Sequence, residues 1–283
     1  MGEVKNPVLR FMVHAHVVLA IGAAAQAQCI GEQWFGAGDW RVTASAFLGT
    51  FACYGLLRLV RSREEALSHV PVFAWYRAHR RGMGIATGAC ALLALVALGH
   101  GAWAAVSRLW PVILPALLYV LPLRGTDGGS LGLRRIPALK SFLVAWVWAA
   151  GTVLLAADHP DAMVWLLVVV FFCFYLAIAI AFDARDILVD PPGLRTVPQL
   201  VGPKLARALA LLLLAPLAGM LTVEHALREA GGREWAQLLP LLGLGMAAVL
   251  IARASPQRGW LHWLLLDACI ALIPLLAWVG GCL

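Results

Sequence analysis

The sequence predicts an all-α fold, a polytopic membrane bundle of about nine transmembrane helices with its N-terminus in the cytoplasm. Composition is the first reason. Of 283 residues, 62% are hydrophobic and 13% charged, against roughly 45–50% and about 25% in a soluble globular domain. One water-facing core of this length could not hide so much apolar surface. Apolar runs of spanning length along the whole chain are the second reason. The third is where the lysines and arginines fall between them.

Taken in order, the apolar runs cover about 8–29, 42–60, 83–103, 106–123, 137–157, 162–182, 205–223, 235–252 and 260–280, each near the roughly 20 residues that cross a hydrocarbon core. The first follows Lys5 and Arg10 and ends in Ala23-Ala24-Ala25-Gln26-Ala27. It reads as a span rather than a cleaved signal peptide, because it is long enough to cross and further spans follow. The third and fourth runs are joined tightly, as a hairpin. Pro111, Pro115, Pro216, Pro240 and Pro274 lie in later runs, where proline kinks a helix. The chain reads as one integral membrane domain, residues 1–283, with no internal repeat.

Orientation follows from the basic residues, which accumulate on the cytoplasmic side. With the N-terminus inside, only Arg41, Arg108, Arg228 and Arg233 of the 22 lysines and arginines face outward. The longer connections, about 61–82, 124–136 and 183–204, then all lie inside, so function is expected at the cytoplasmic mouth. The net charge of +7 is spread over these short loops, which suits anionic lipid and not nucleic acid. The expected location is the cell membrane, a bacterial inner membrane crossed many times. Cys29, Cys53, Cys90, Cys173, Cys269 and Cys282 are scattered singly, which excludes a CxxC zinc or redox motif.

Chemistry concentrates where the sixth run leaves the hydrocarbon, in Phe182-Asp183-Ala184-Arg185-Asp186-Ile187-Leu188-Val189-Asp190-Pro191-Pro192-Gly193. If the helix continues to Asp190, then Asp183, Asp186 and Asp190 fall at i, i+3 and i+7 on one face. Pro191-Pro192-Gly193 ends the helix there. Three carboxylates on one stripe repel one another. A divalent cation relieves this, since Mg²⁺ takes one or two carboxylates and completes its shell with water and phosphate oxygens. Arg185, Arg195 and Lys204 are candidates for the remaining phosphate charge. The competing reading is a solvated acidic helix end balanced by nearby arginines.

The Asp-x-x-Asp-x-x-x-Asp pattern, followed by Gly193, Arg195-Thr196-Val197-Pro198 and Gly202, resembles the second aspartate-rich motif of the UbiA-type intramembrane prenyltransferases. In that family the motif follows the sixth of nine membrane helices on the cytoplasmic side. A second similarity is Leu118-Tyr119 ahead of Arg124, with Arg135-Ile136-Pro137-Ala138-Leu139-Lys140 leading into the fifth span. The resemblance implies a UbiA prenyltransferase-like fold over the whole chain. It implies an enzyme that moves an isoprenyl group from its diphosphate to a lipid-soluble acceptor, often an aromatic ring. Mg²⁺ would be the cofactor, neutralising the leaving diphosphate, and an apolar chamber would keep water from the carbocation. Carried onto this sequence, Asp186 and Asp190 are the catalytic metal ligands, with Asp183 supporting them. Lys140, Arg185, Arg195 and Lys204 would bind the substrate.

One departure marks a divergent branch. Active members carry a first aspartate-rich motif at the cytoplasmic end of the second span. The corresponding stretch here, Cys53-Tyr54-Gly55-Leu56-Leu57-Arg58-Leu59-Val60-Arg61, holds no carboxylate. Arg58 and Arg61 stand in its place, either binding diphosphate directly or anchoring the helix at the interface.

Other polar residues fall inside the runs. Asp267 is either a chamber-lining acid that orients an acceptor hydroxyl or a hydrogen-bonded packing residue. His14 and His16, at i and i+2, point to different faces and read as packing residues. Trp34, Trp40, Trp103, Trp110, Trp260 and Trp278 lie near run ends as interfacial anchors, while Trp146 and Trp148 sit deeper. The expected function is a Mg²⁺-dependent membrane prenyltransferase whose partners are an isoprenyl diphosphate, a lipid-soluble acceptor and membrane lipid. A non-catalytic isoprenoid- or quinone-binding relative and a transporter remain as alternatives.

Overall fold

A computed structural model describes residues 6–36, 38–63, 70–120, 136–188, 195–227 and 238–282. Among them the chain is all-helical. The helices are α1 (Pro7–His14), α2 (Val17–Trp34), α3 (Trp40–Arg61), α4 (Pro71–Ala78), α5 (Arg80–Leu98), α6 (Ala102–Val120), α7 (Leu139–Ala156) and α8 (Ala162–Asp186). They continue as α9 (Val197–Val201), α10 (Pro203–Leu212), α11 (Ala215–Leu227), α12 (Leu239–Ala252) and α13 (Trp260–Cys282).

Local chemistry sets several starts. Asn6 Oδ1 accepts from the backbone N–H groups of Val8 (2.9 Å) and Leu9 (3.2 Å), and Pro7 opens α1. Asp39 accepts from Arg41 N at 2.8 Å before α3, and Asp161 from Val164 N at 2.9 Å before α8. Such caps satisfy amides that a helix leaves unpaired. The bent pair α1 and α2 turns by 57° at a single left-handed residue, His16 (φ 57°). The tight link between α5 and α6 is one 3₁₀ turn, Gly99–Gly101.

Among the described residues, six helices are long and apolar enough to cross a membrane: Trp40–Arg61, Arg80–Leu98, Leu139–Ala156, Ala162–Asp186, Pro203–Val223 and Trp260–Gly280. The bent pair α1–α2 makes a seventh if taken as one span, and Trp103–Leu118 and Leu239–Ala252 are shorter apolar helices. The tally of full-length spans is therefore below the number expected. The expected fourth and eighth runs, 106–123 and 235–252, extend into residues outside those described.

Packing closes the helices into a ring. Going round it, α2 meets α3, then α5, α6, α7, α8, α10, α12 and α13, and α13 returns to α2. Close approach depends on missing side chains, as is usual where helices pack in lipid. A Cβ on Gly22 of α2 would lie 2.7 Å from Ile270 Cγ2, and one on Gly243 of α12 would lie 2.9 Å from Ile273 Cγ1. The helix α8 is largely buried from Val170 to Ala184, while Leu166 and Val169 nearer its start face outward. Ile85, Leu92, Leu93 and Val96 of α5 face outward as well, as lipid contact requires.

Candidate functional site

The alternation of helices brings the C-terminal ends of α3 and α8, the N-terminal ends of α7 and α13, and the α1–α2 break to one end of the ring. Most of the singled-out polar residues arrive there. His16, Tyr54, Arg58 and Asp267 are enclosed by surrounding protein yet keep accessible surface. Side chains that are deep and still accessible border an internal space.

One wall of that space is a hydrogen-bonded and stacked chain. Arg58 Nε donates to His16 Nε2 at 3.1 Å, so the imidazole carries its proton on Nδ1. The His16 ring lies 4.9 Å from that of Tyr54, whose hydroxyl accepts from Trp148 Nε1 at 2.9 Å. Trp148 in turn sits 5.2 Å from the Tyr175 ring. The chain thus runs from a guanidinium at the helix ends, through the half-buried His16 and Tyr54, to Trp148 and Tyr175, which are buried in the core of α7 and α8.

Cations gather at the rim. The guanidinium carbons of Arg58 and Arg61 lie 5.0 and 5.3 Å from the Phe73 ring centre, within cation–π range. That of Arg185 lies 4.7 Å from Phe182 and 5.4 Å from Trp263. Arg185 also grips Asp186 through both oxygens, Nε to Oδ1 at 2.6 Å and Nη2 to Oδ2 at 2.8 Å. Arg58 is in electrostatic reach of Arg61, Arg185 and Asp186, and Asp267, from the α13 side, of Arg185 and Arg58. Tyr76 on α4 is fully buried, and burial pushes its phenol up to about 12. It stands beside Arg58 as a neutral donor and not as a counter-ion.

Asp183 and Asp186 meet different surroundings. Asp183 is turned into the protein, 2% exposed. It accepts from Ser141 Oγ and pairs with Lys140 Nζ at 2.9 Å. Asp186 remains partly exposed beside Arg185. The helix α8 ends at Asp186, and Asp190 lies outside the described residues. Among those described, no group of three His, Cys, Asp or Glu side chains could by itself hold a metal ion. Of the three expected ligands, the described residues place Asp183 against Lys140 and Asp186 against Arg185.

No protein-family model matches this chain, and no curated protein matches it. The site is carried by its own geometry alone.

Of the remaining expected residues, Lys140 faces Asp183 and stays near Asp186. Arg195 is exposed and left-handed at φ 48°, and its carbonyl accepts from Ala138 N at 2.9 Å. Lys204 is exposed on α10, and no described contact joins it to the rim. Sequence reasoning missed His16, Tyr54, Phe73, Tyr76 and Tyr175. Only His16 carried a signal, as a polar residue in an apolar run. The break that turns it inward has no proline or glycine to announce it.

Proposed function

We propose that this chain is a membrane-embedded prenyltransferase that moves an isoprenyl group from its diphosphate to a lipid-soluble acceptor. The observation that carries this reading is the grading of one internal wall, from the guanidiniums of Arg58 and Arg185 to the rings of His16 and Tyr54, backed by the core residues Trp148 and Tyr175. An isoprenyl diphosphate has the same polarity, an anionic head on an apolar chain. On this reading the bent pair and the two shorter helices are crossings as well, which brings the number to nine, and the ring then encloses the site.

The reaction on this reading breaks the allylic C–O bond, whose electron pair leaves with the diphosphate held at the basic rim. The positive charge left on the allyl fragment is stabilised by aromatic faces in a space that limits water. The acceptor attacks that carbon, and its proton passes to Asp267. This carboxylate makes no hydrogen bond or ion pair among the described residues. An acid at that depth costs about 2.5–3.5 kcal/mol on insertion scales, which a role in proton transfer accounts for.

A non-catalytic isoprenoid binder is the second reading, favoured by the absence of a metal-ligand trio among the described residues. Purified protein incubated with labelled geranylgeranyl diphosphate and a membrane lipid extract separates the two. The transferase gives labelled lipid and free diphosphate by chromatography and mass spectrometry, and Asp267→Asn binds the donor but forms about tenfold less product or lower. Binding without product supports the binder. Absence of binding under all ionic conditions removes both readings.

A further inference from the structure

We propose that Tyr54 and Asp267 form a seat for a hydroxyl group, so that the lipid-soluble acceptor is an alcohol or a phenol. The inference rests on the functional reading above and deepens it by naming the acceptor's class. The two residues come from α3 and α13, which pack against α2 from its two sides. Tyr54 lies one helical turn deeper than Arg58, and Asp267 two turns in from the start of α13. They are close enough to interact electrostatically, yet no hydrogen bond joins them. The seat is the gap between them.

Each member has one hydrogen-bonding role left open. The Tyr54 oxygen accepts from Trp148 Nε1 at 2.9 Å. The same hydroxyl carries a proton of its own, which an indole N–H cannot accept and no described residue does. The Asp267 carboxylate likewise receives no hydrogen bond and meets no ion-pair partner among the described residues. Both side chains are enclosed by protein and keep accessible surface. A donor and a carboxylate left unpaired at this depth are costly, and one group placed between them satisfies both.

The open roles select that group. On the functional reading Asp267 takes up a proton, so it stands ionised beforehand. The ligand must then accept from Tyr54 and donate to Asp267. An ether or carbonyl accepts but has no proton for the carboxylate, and an ammonium donates but offers Tyr54 no lone pair. A carboxylate or phosphate meets Asp267 as a like charge. A hydroxyl fills both roles through one oxygen. Its apolar body has aromatic neighbours, with the His16 ring 4.9 Å and the Trp148 ring 6.2 Å from that of Tyr54.

The test is equilibrium binding of tritiated para-octylphenol to the detergent-purified chain, with partition into empty micelles subtracted. Its methyl ether and para-octylbenzylamine serve as matched probes, and labelled geranylgeranyl diphosphate is measured in parallel. The phenol is expected to bind about tenfold tighter than the ether. Tyr54→Phe and Asp267→Leu each weaken the phenol about fivefold or more and leave the ether within about twofold. A merely structural residue would weaken both probes alike. Neither variant weakens binding of the diphosphate, which separates the seat from the rim. Tyr54→Phe also takes the acceptor from Trp148; if that variant unfolds, Asp267→Leu and the probe pair decide. Equal binding of phenol and ether overturns the seat, as does tighter binding of the amine or a phenol-to-ether ratio that Asp267→Leu leaves unchanged. Each of these results leaves the transferase reading intact as long as the diphosphate still binds. If neither the probes nor the diphosphate bind, this inference falls together with the functional reading.

Discussion

At the residue scale, His16 joins backbone strain to a contact with Arg58. It holds φ 57° and ψ 32°, a region that ordinary residues visit rarely and at a cost of order 1 kcal/mol or more. The return is the position of its ring, 42 residues away in sequence from the Arg58 it receives. A positioning role makes a specific prediction. His16→Ala removes the acceptor and lets Arg58 swing, so donor binding falls about tenfold. In His16→Gln the Oε1 atom occupies nearly the place of imidazole Nε2, and binding recovers to within about threefold. Equal losses in the two variants, measured by donor binding alongside thermal unfolding, would reduce His16 to a packing residue. The histidine itself is visible in the sequence, but its orientation is not. Two residues of spacing place His14 and His16 on different faces of an ideal helix, and the break at Ala15–His16 changes which face is which.

The helices themselves were largely legible. Apolar runs near 20 residues mark where a helix replaces lost water contacts with its own hydrogen bonds, and the caps at Asn6, Asp39 and Asp161 sit where the runs begin. Packing between helices is less legible, because glycine serves several purposes. Gly22 and Gly49 look alike in sequence, yet a Cβ at Gly22 would meet Ile270 at 2.7 Å while one at Gly49 would meet nothing within 4 Å. Gly22→Val should therefore push α2 from α13 and cost about 1–3 kcal/mol. Gly49→Ala should change stability by no more than about 0.5 kcal/mol, or raise it. Unfolding in mixed micelles reads both; a tolerant Gly22→Val would mean that α2 and α13 do not approach so closely. The motif on α8 shows the same limit. Spacing alone puts Asp183 and Asp186 on one face, but α7 packs against Asp183 and supplies Lys140 and Ser141.

Taken whole, the ring has a basic end. Arg58, Arg61, Arg63, Arg77, Arg80, Arg81, Lys140, Arg185, Lys204, Arg207, Arg253 and Arg258 all fall at that end, while Arg41 and Arg108 fall at the other. The opposite end holds Asp158 and Asp161, with Arg108 donating to the carbonyls of Ala157 (2.5 Å) and Asp158 (2.8 Å). A membrane protein with this bias keeps the basic end in the cytoplasm. Alkaline phosphatase fused after Asp158 should then be active in a bacterial host, and a fluorescent protein fused after Arg258 should fluoresce. The reverse pattern would turn the molecule over and place the rim on the outer face.

Helical class and the presence of apolar helices long enough to cross a membrane are decided by local free energies, summed over about 20 neighbouring residues. That is why composition and apolar run length alone were sufficient for them. Which polar groups face one another is decided by contacts between residues far apart in the chain, such as Tyr54 and Trp148, separated by 94 positions. Only the closed ring brings these together. The same closure turns Asp183 toward Lys140 and leaves Arg58 facing the interior, because each helix has one rotation that satisfies all its neighbours at once. No pattern along a single helix contains that information.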